Sequence, residues 1–298
     1  MLPILVIGEA LVDEFHDGPV AGGAPFNVAR SLAALGVPVR FVSRIGAGDA
    51  AGRLVLDSAA RFGLAVDDIQ RDPAHATGRV SVHEDAGGHR FEIHADAAWD
   101  HLEVPAVVGE GIVYFGSLAQ RHPAARAAIR AAVKRAPGMR LLDLNQRPGT
   151  DTPELAAESL MLADWVKLNE DELERLLGWF GPGLPDLMAR FALQRLVLTR
   201  GAAGYALYGE QGQLLASGEG VAQPHVVDSV GAGDGFTALL LAGLSLRRDL
   251  GATLSLANRY AAMICGVRGP LPDLSANPVA LAPWRKALLA LPEPEGRS

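Results

Sequence analysis

Between residues 112 and 199 the chain reads IVYF (112–115), PAARAAIRAAVKR (123–135), LLD (141–143), PELAAESLML (153–162), WVKL (165–168), EDELERLL (170–177) and LVLT (196–199). Apolar runs of strand length alternate here with longer segments of helical period. Outward toward the N-terminus the rhythm continues. Residues 4–8 form a buried-strand pattern, 27–35 a helical one, 39–43 a strand and 49–62 an amphipathic helix. Such alternation predicts parallel strands joined by crossover helices, hence a three-layer α/β/α sandwich with a mostly parallel central sheet. Sheets of this kind bind ligands outside the carboxyl ends of their strands.

One segment breaks the pattern. In 79–83 and 89–94, Val80/Val82 and Phe91/Ile93 alternate with polar residues around the turn Glu84-Asp85-Ala86-Gly87-Gly88. This reads as a β-hairpin with one apolar face. It is expected to be either a small lid inserted around 77–97 into a single domain spanning 1–298, or an edge hairpin of the main sheet.

Composition narrows the function. Hydrophobic content of 49% and charged content of 20% suit an ordinary globular protein. The net charge of −7 argues against a general nucleic-acid or membrane-surface binder. Only three of the 27 basic residues are lysine (Lys134, Lys167, Lys286), which reads as genomic bias. A single cysteine, Cys265, excludes an internal disulfide and a Cys-based zinc site. The first residues, MLPILVIGEALVDEF, lack a basic n-region, and the apolar run at 236–246 is too short to span a bilayer. A soluble, cytoplasmic protein is expected.

The most informative chemistry lies in Val226-Val227-Asp228-Ser229-Val230-Gly231-Ala232-Gly233-Asp234-Gly235-Phe236, followed by a helical run at 237–244. The small residues 231–233 let the backbone turn tightly into a helix, whose free N–H groups and dipole favour an anion. That suits the charge on a phosphoryl group in transfer. Asp234, in the first turn, is either a base for an attacking hydroxyl or a helix cap. Competing phosphate motifs are missing: no Gly-Lys pair exists for a P-loop, and Gly8-Glu9-Ala10 after the first strand is not a dinucleotide turn.

This segment resembles the C-terminal signature of the ribokinase-like (PfkB) carbohydrate kinases. Ala21-Gly22-Gly23-Ala24-Pro25-Phe26-Asn27-Val28-Ala29 resembles the N-terminal signature, about 200 residues upstream, with Leu35-Gly36 and Gly46 at the family spacing. The match runs from Gly8 to about Gly269, and Gly8-Glu9-Ala10-Leu11-Val12-Asp13 with Gly-Gly-Ala-Pro looks most like the fructokinase branch.

The resemblance implies a ribokinase-like fold and ATP-dependent phosphorylation of a sugar hydroxyl. Asp234 is then the base, and Gly231, Ala232 and Gly233 supply the amides that hold the transferred charge. Asp13, Gly22, Gly23, Asn27 and Arg147 grip the sugar, with Arg90 on the lid as a further candidate. Asn169, Thr199, Arg200, Gly201, Gly231, Gly233 and Asn258 face the nucleotide. Glu172 handles Mg²⁺ through water, and Asp228, with the Val230 carbonyl, is a candidate K⁺ ligand, although Ser229-Val230 replaces the usual Thr-Thr. Local readings stand beside these roles: Asn169 and Glu172 also make a capping box, Asp13 suits a turn, and Arg90 suits a solvated face. Four histidines (His83, His89, His94, His101) lie on or after the hairpin; none pairs at helical i, i+4 spacing, so they read as polar-face residues rather than a zinc site.

Only eight residues separate Asp13 from Gly22. Fructokinase-like chains commonly carry a longer loop there with part of the lid, so a thinner cover over the sugar is expected. The acceptor reading is fructose, with 2-keto-3-deoxygluconate or a nucleoside as alternatives; a sensor that binds sugar and nucleotide without transfer is the reading from another class. Relatives often dimerise through the lid sheet, which implies a homodimer.

Overall fold

The computed structural model describes residues 1–294 apart from 17, 86–87, 106–109, 148–150, 273, 275–276 and 278; the side chains of 82–91 also lie outside the described set. In chain order the strands are β1 (Ile4–Ile7), β2 (Leu11–Phe15), β3 (Gly18–Gly22), β4 (Val39–Gly46), β5 (Ile69–Asp72), β6 (Gly78–Asp85), β7 (Gly88–Ile93), β8 (Ile112–Gly116), β9 (Met139–Asp143), β10 (Trp165–Asn169), β11 (Arg195–Thr199), β12 (Tyr205–Tyr208) and β13 (Leu214–Gly218). The helices are α1 (Ala24–Ala34), α2 (Ala50–Arg61), α3 (Pro123–Arg135), α4 (Pro153–Leu160), α5 (Glu170–Phe180), α6 (Leu184–Arg190), α7 (Ala232–Ser245), α8 (Leu250–Cys265) and α9 (Ala282–Leu289).

Nine strands form one sheet in the order β13-β12-β11-β10-β9-β8-β1-β4-β5. All pairs are parallel except β11–β12 and β12–β13. Side chains alternate across it, as a pleated strand requires. Ile4, Val6, Ile112, Tyr114, Leu141 and Val197 point to one core, shared with α1, α2, α7, α8 and α9. Leu5, Ile7, Val113, Phe115, Leu142 and Leu196 point to the other, under α3–α6. Burial on both faces explains why these strands read as continuous apolar runs. Two charged residues break the alternation: Asp143 and Lys167 occupy places on the α7 face where the pattern calls for apolar side chains, and both are buried.

Local chemistry fixes the helix starts. Asp49 caps α2 by accepting from Gly52 N, Thr152 caps α4, and Asn169 with Glu172 closes a reciprocal capping box on α5. Pro25, Pro123 and Pro153 stand in first turns, where a missing N–H does no harm.

The remaining strands form a separate four-stranded sheet, β3-β2-β6-β7. The hairpin read at 79–94 is present as β6–β7, antiparallel from Val80↔Ile93 to Asp85↔Gly88, and it belongs to this second sheet rather than to an edge of the first. The stretch expected to leave the cover thin has a defined structure. The short stretch after Asp13 is itself a hairpin, Leu11↔Gly22 to Phe15↔Gly18, and β2 also runs parallel to β6. Asp13 therefore rides on the small sheet. Pro19 is tolerated because β3 is an edge strand, where one missing donor breaks no ladder.

Candidate active site

The turn into α7 is made by Gly231, the N-cap, at φ 78° and ψ −4°. A Cβ there would stand 2.4 Å from Pro270 Cα, so both conformation and space require glycine. The Ala232 amide bends back to Ser229 O (3.3 Å), and the helical ladder begins at Gly235 N→Gly231 O (2.8 Å). First-turn amides at 233 and 234 have no carbonyl four residues back within the helix, so they project forward, where the dipole favours an anion.

Asp234 stands in that first turn. Asn27 Nδ2 donates to its Oδ2 at 2.7 Å, joining segments 207 residues apart. The other end of the same amide, Asn27 Oδ1, accepts from Arg30, whose guanidinium also donates to Ala21 O (3.0 Å) and Ser58 Oγ (2.6 Å). Burial pushes the Asp234 carboxyl above the usual range; the bond from Asn27 opposes this, Asp143 adds to it, and Lys167 and Arg147 pull it back. Asp13 is pushed up to about 6, first by burial, against Arg147 and Arg30. Gly22 lies beneath it: a Cβ at 22 would come 2.1 Å from Asp13 Oδ2.

Behind this acid lies a buried ion pair. Lys167 Nζ donates to both oxygens of Asp143 (3.2 and 3.3 Å), and Thr237 Oγ1 donates to Asp143 Oδ2 (3.0 Å). The same Nζ sits 3.1 Å from the place a Cβ on residue 233 would occupy. The pair thus ties β9 and β10 to the start of α7.

These groups open into a cleft of about 940 Å³ across the carboxyl ends of the large sheet. Of the sequence-predicted residues, Asp13, Gly23, Asn27, Arg147, Asn169, Thr199, Gly201, Gly231, Ala232, Gly233, Asp234 and Asn258 line it. Thr199 Oγ1 donates to Leu168 O (3.2 Å) and Asn258 Nδ2 to Glu219 O (2.8 Å). Others are placed differently. Arg200 donates to Tyr205 O (3.3 Å), away from the lining. Glu172 is buried beneath the floor, its two oxygens accepting from Asn169 N and Gln146 N at 2.8 Å each. Asp228 accepts from Val230 N (3.0 Å) and Gly269 N (3.3 Å), clamping the glycine segment to the loop after α8. Arg90 lies on β7 with its side chain outside the described residues.

The pfkB family carbohydrate kinase model matches residues 8–277. The chain belongs to this family. A fructokinase from Klebsiella pneumoniae is 32% identical over 300 residues, covering 91% of this chain and 95% of the relative. A fructokinase from Vibrio cholerae O395, solved in a fructose-, ADP- and potassium-bound form, superposes with a TM-score of 0.81 at 26% identity over 92% of this chain and 95% of its own. An aminoimidazole riboside kinase from Salmonella enterica, solved with aminoimidazole riboside and an ATP analogue, gives a TM-score of 0.80 at 27% identity, covering 95% and 99% of the two chains.

The kinase cleft also holds residues that sequence reasoning did not assign. Lys167 is one, and its signal was a charge inside an apolar strand; its partner Asp143, expected with Asn145 and Arg147 to line the cleft, lies buried behind the lining instead. Glu9 is a second, lining the cleft at 2% exposure with Oε2 lacking a hydrogen-bond partner among the described residues. Burial raises its carboxyl to about 7, against its own backbone amide and Arg147. A carboxyl raised in the fold binds its proton more tightly there than in the unfolded chain, so stability falls as pH rises from about 4.5 to about 7. Glu9→Gln is therefore expected to stabilise the protein at pH 8 by about 3 kcal/mol, and to leave it unchanged below pH 4. Urea unfolding of both proteins at the two pH values checks this; an equal difference at both would contradict it.

Among the described residues no helix is long and apolar enough to cross a membrane.

Proposed function

We propose that this kinase transfers the γ-phosphoryl group of ATP to a primary hydroxyl of fructose, with Asp234 as general base. The observation that carries the reading is the Asn27–Asp234 contact at the start of α7, which sets an acid beside an anion-favouring helix end in the same cleft as Asp13 and Arg147. Asp13 accepts hydroxyl hydrogen bonds from the sugar, Asn27 positions both sugar and base, and Arg147 offers positive charge near the transferred group. The first-turn amides of residues 233 and 234 hold the charge that develops during transfer, while the Ala232 amide, expected to share this role, is occupied by Ser229 O. Thr199, Gly201 and Asn258 line the nucleotide end.

Magnesium bound with the nucleotide would neutralise phosphate charge. An indirect role through water fits Glu172, because each of its oxygens already accepts one backbone amide at 2.8 Å and the side chain is buried. For K⁺ the candidate ligand is Asp228, whose oxygens likewise carry amide bonds. The resemblance supports a homodimer through the small sheet and a cytoplasmic setting, with residues 1–298 acting as one kinase domain.

The aminoimidazole riboside kinase likeness keeps a nucleoside acceptor as a second reading. A coupled ADP-release assay over fructose, other keto sugars, 2-keto-3-deoxygluconate and aminoimidazole riboside separates them. Fructose is expected to lead in kcat/KM by well over tenfold, since a site built to bond hydroxyls rejects acceptors that leave its polar groups unpaired. A nucleoside in first place would replace the fructose assignment. Calorimetric binding of sugar and ATP with no turnover on any acceptor would instead make the chain a sensor.

A further inference from the structure

Away from the cleft, three side chains from two separate segments converge. His75 lies between β5 and β6; Asp96 and His101 lie after β7. Asp96 Oδ1 is 3.0 Å from His101 Nε2 and 3.8 Å from His75 Nε2. The two imidazoles stack at 3.8 Å between centroids, tilted by 16°, so binding one ion through both requires the rings to splay until their in-plane lone pairs converge. One ligand atom from each residue fits within 4.8 Å of the others. Ligands at tetrahedral zinc, with bonds of 2.0–2.1 Å, stand about 3.3 Å apart, a value these separations bracket.

The surroundings match a metal site as well. His75 Nδ1 is 3.1 Å from Asp72 Oδ2, so an Nδ1–H donated to this carboxylate leaves the Nε2 lone pair facing Asp96. A carboxylate behind a ligating histidine is the usual way such a ring is oriented. Asp72 is held in turn by Arg44 Nε (2.6 Å), whose other end donates to the His101 carbonyl (3.1 Å). Asp96 adopts φ 54°, a left-handed conformation that a non-glycine residue enters at some energetic expense. The ligand side chains of His75 and His101 are 29% and 25% exposed, leaving an open side for entry and for water.

We propose that His75, Asp96 and His101 form a site for a divalent transition metal of the zinc class, tying together the segments that enter and leave the β6–β7 hairpin. Those segments already touch through Ala98 N→Ala76 O (2.8 Å). The ligands are Nε2 of each histidine and an oxygen of Asp96, with water at the fourth position. None of the three lines the kinase cleft, so the site is separate from the nucleotide's own metal. The proposal departs from the reading of the histidines as polar-face residues at His101, whose proposed partner, His75, lies 26 residues upstream of it.

Titration of the chelator-treated full chain with Co²⁺, without nucleotide, tests this. One equivalent is expected to give visible absorption bands that Zn²⁺ displaces. His101→Ala should weaken binding at least tenfold, and Asp72→Asn roughly 10–100-fold, as loss of an outer-shell carboxylate does elsewhere. Asp96→Asn serves if His101→Ala misfolds, because the Asp96 side chain is 72% exposed. No stoichiometric binding by the wild type, or bands of equal strength and affinity in His101→Ala or Asp96→Asn, would overturn the proposal.

Discussion

Asp234→Asn is expected to lower kcat by about 10²–10⁴, the usual worth of a general base. The substitution keeps size and keeps a polar partner for Asn27, so the start of α7 should hold its shape. What disappears is the ability to take a proton. Nucleotide affinity, measured by calorimetry, should change little, and the loss should fall on kcat rather than on KM. Because burial, opposed by Asn27, raises the Asp234 carboxyl, the wild-type rate should also fall on the acid side as this group takes up its proton. The variant should lack that acid limb. A variant turning over at the wild-type rate would remove this residue from the chemistry.

The second large effect concerns folding. Lys167→Met is expected to destabilise the protein by about 3–5 kcal/mol, because it strands the Asp143 carboxylate in the interior. Asp143 is fully buried; besides Lys167, Thr237 Oγ1 donates to it at 3.0 Å and the Tyr114 side chain interacts with it. Burial opposes the charge on Lys167, yet Asp143, Glu172 and Asp234 together outweigh it and hold the ammonium above its ordinary range. Adding Asp143→Leu should recover most of the loss, since an apolar pair of similar volume removes both charges at once. Urea unfolding of the two single variants and the double variant measures the coupling. A single variant as stable as the wild type would mean that water reaches the pair.

The sandwich was legible because strands buried on both faces leave continuous apolar runs, as in IVYF and WVKL. The glycine turn before Asp234 was legible because few residues other than glycine enter a left-handed cap. Other features needed contacts that no short window contains. The β2–β3 hairpin was hidden by Gly18-Pro19, which reads as loop and is compatible with a strand only at a sheet edge. The Asp143–Lys167 pair spans 24 residues and the His75–His101 stack spans 26, so each member looks like an isolated polar residue in sequence. Strands β12 and β13 were missed because they are antiparallel additions beyond the alternating βα rhythm.

The groups we propose to hold and activate the acceptor belong to different bodies. Asp13 is carried by the four-stranded sheet, whereas Asn27 and Asp234 are fixed to helices of the large sandwich. Any tilt between those bodies changes the span from grip to base, so only an occupant that bridges both brings its hydroxyl into line. On those proposed roles a water beside the base leaves the Asp13 side ungripped, so hydrolysis of the nucleotide without sugar is expected to be slow beside transfer.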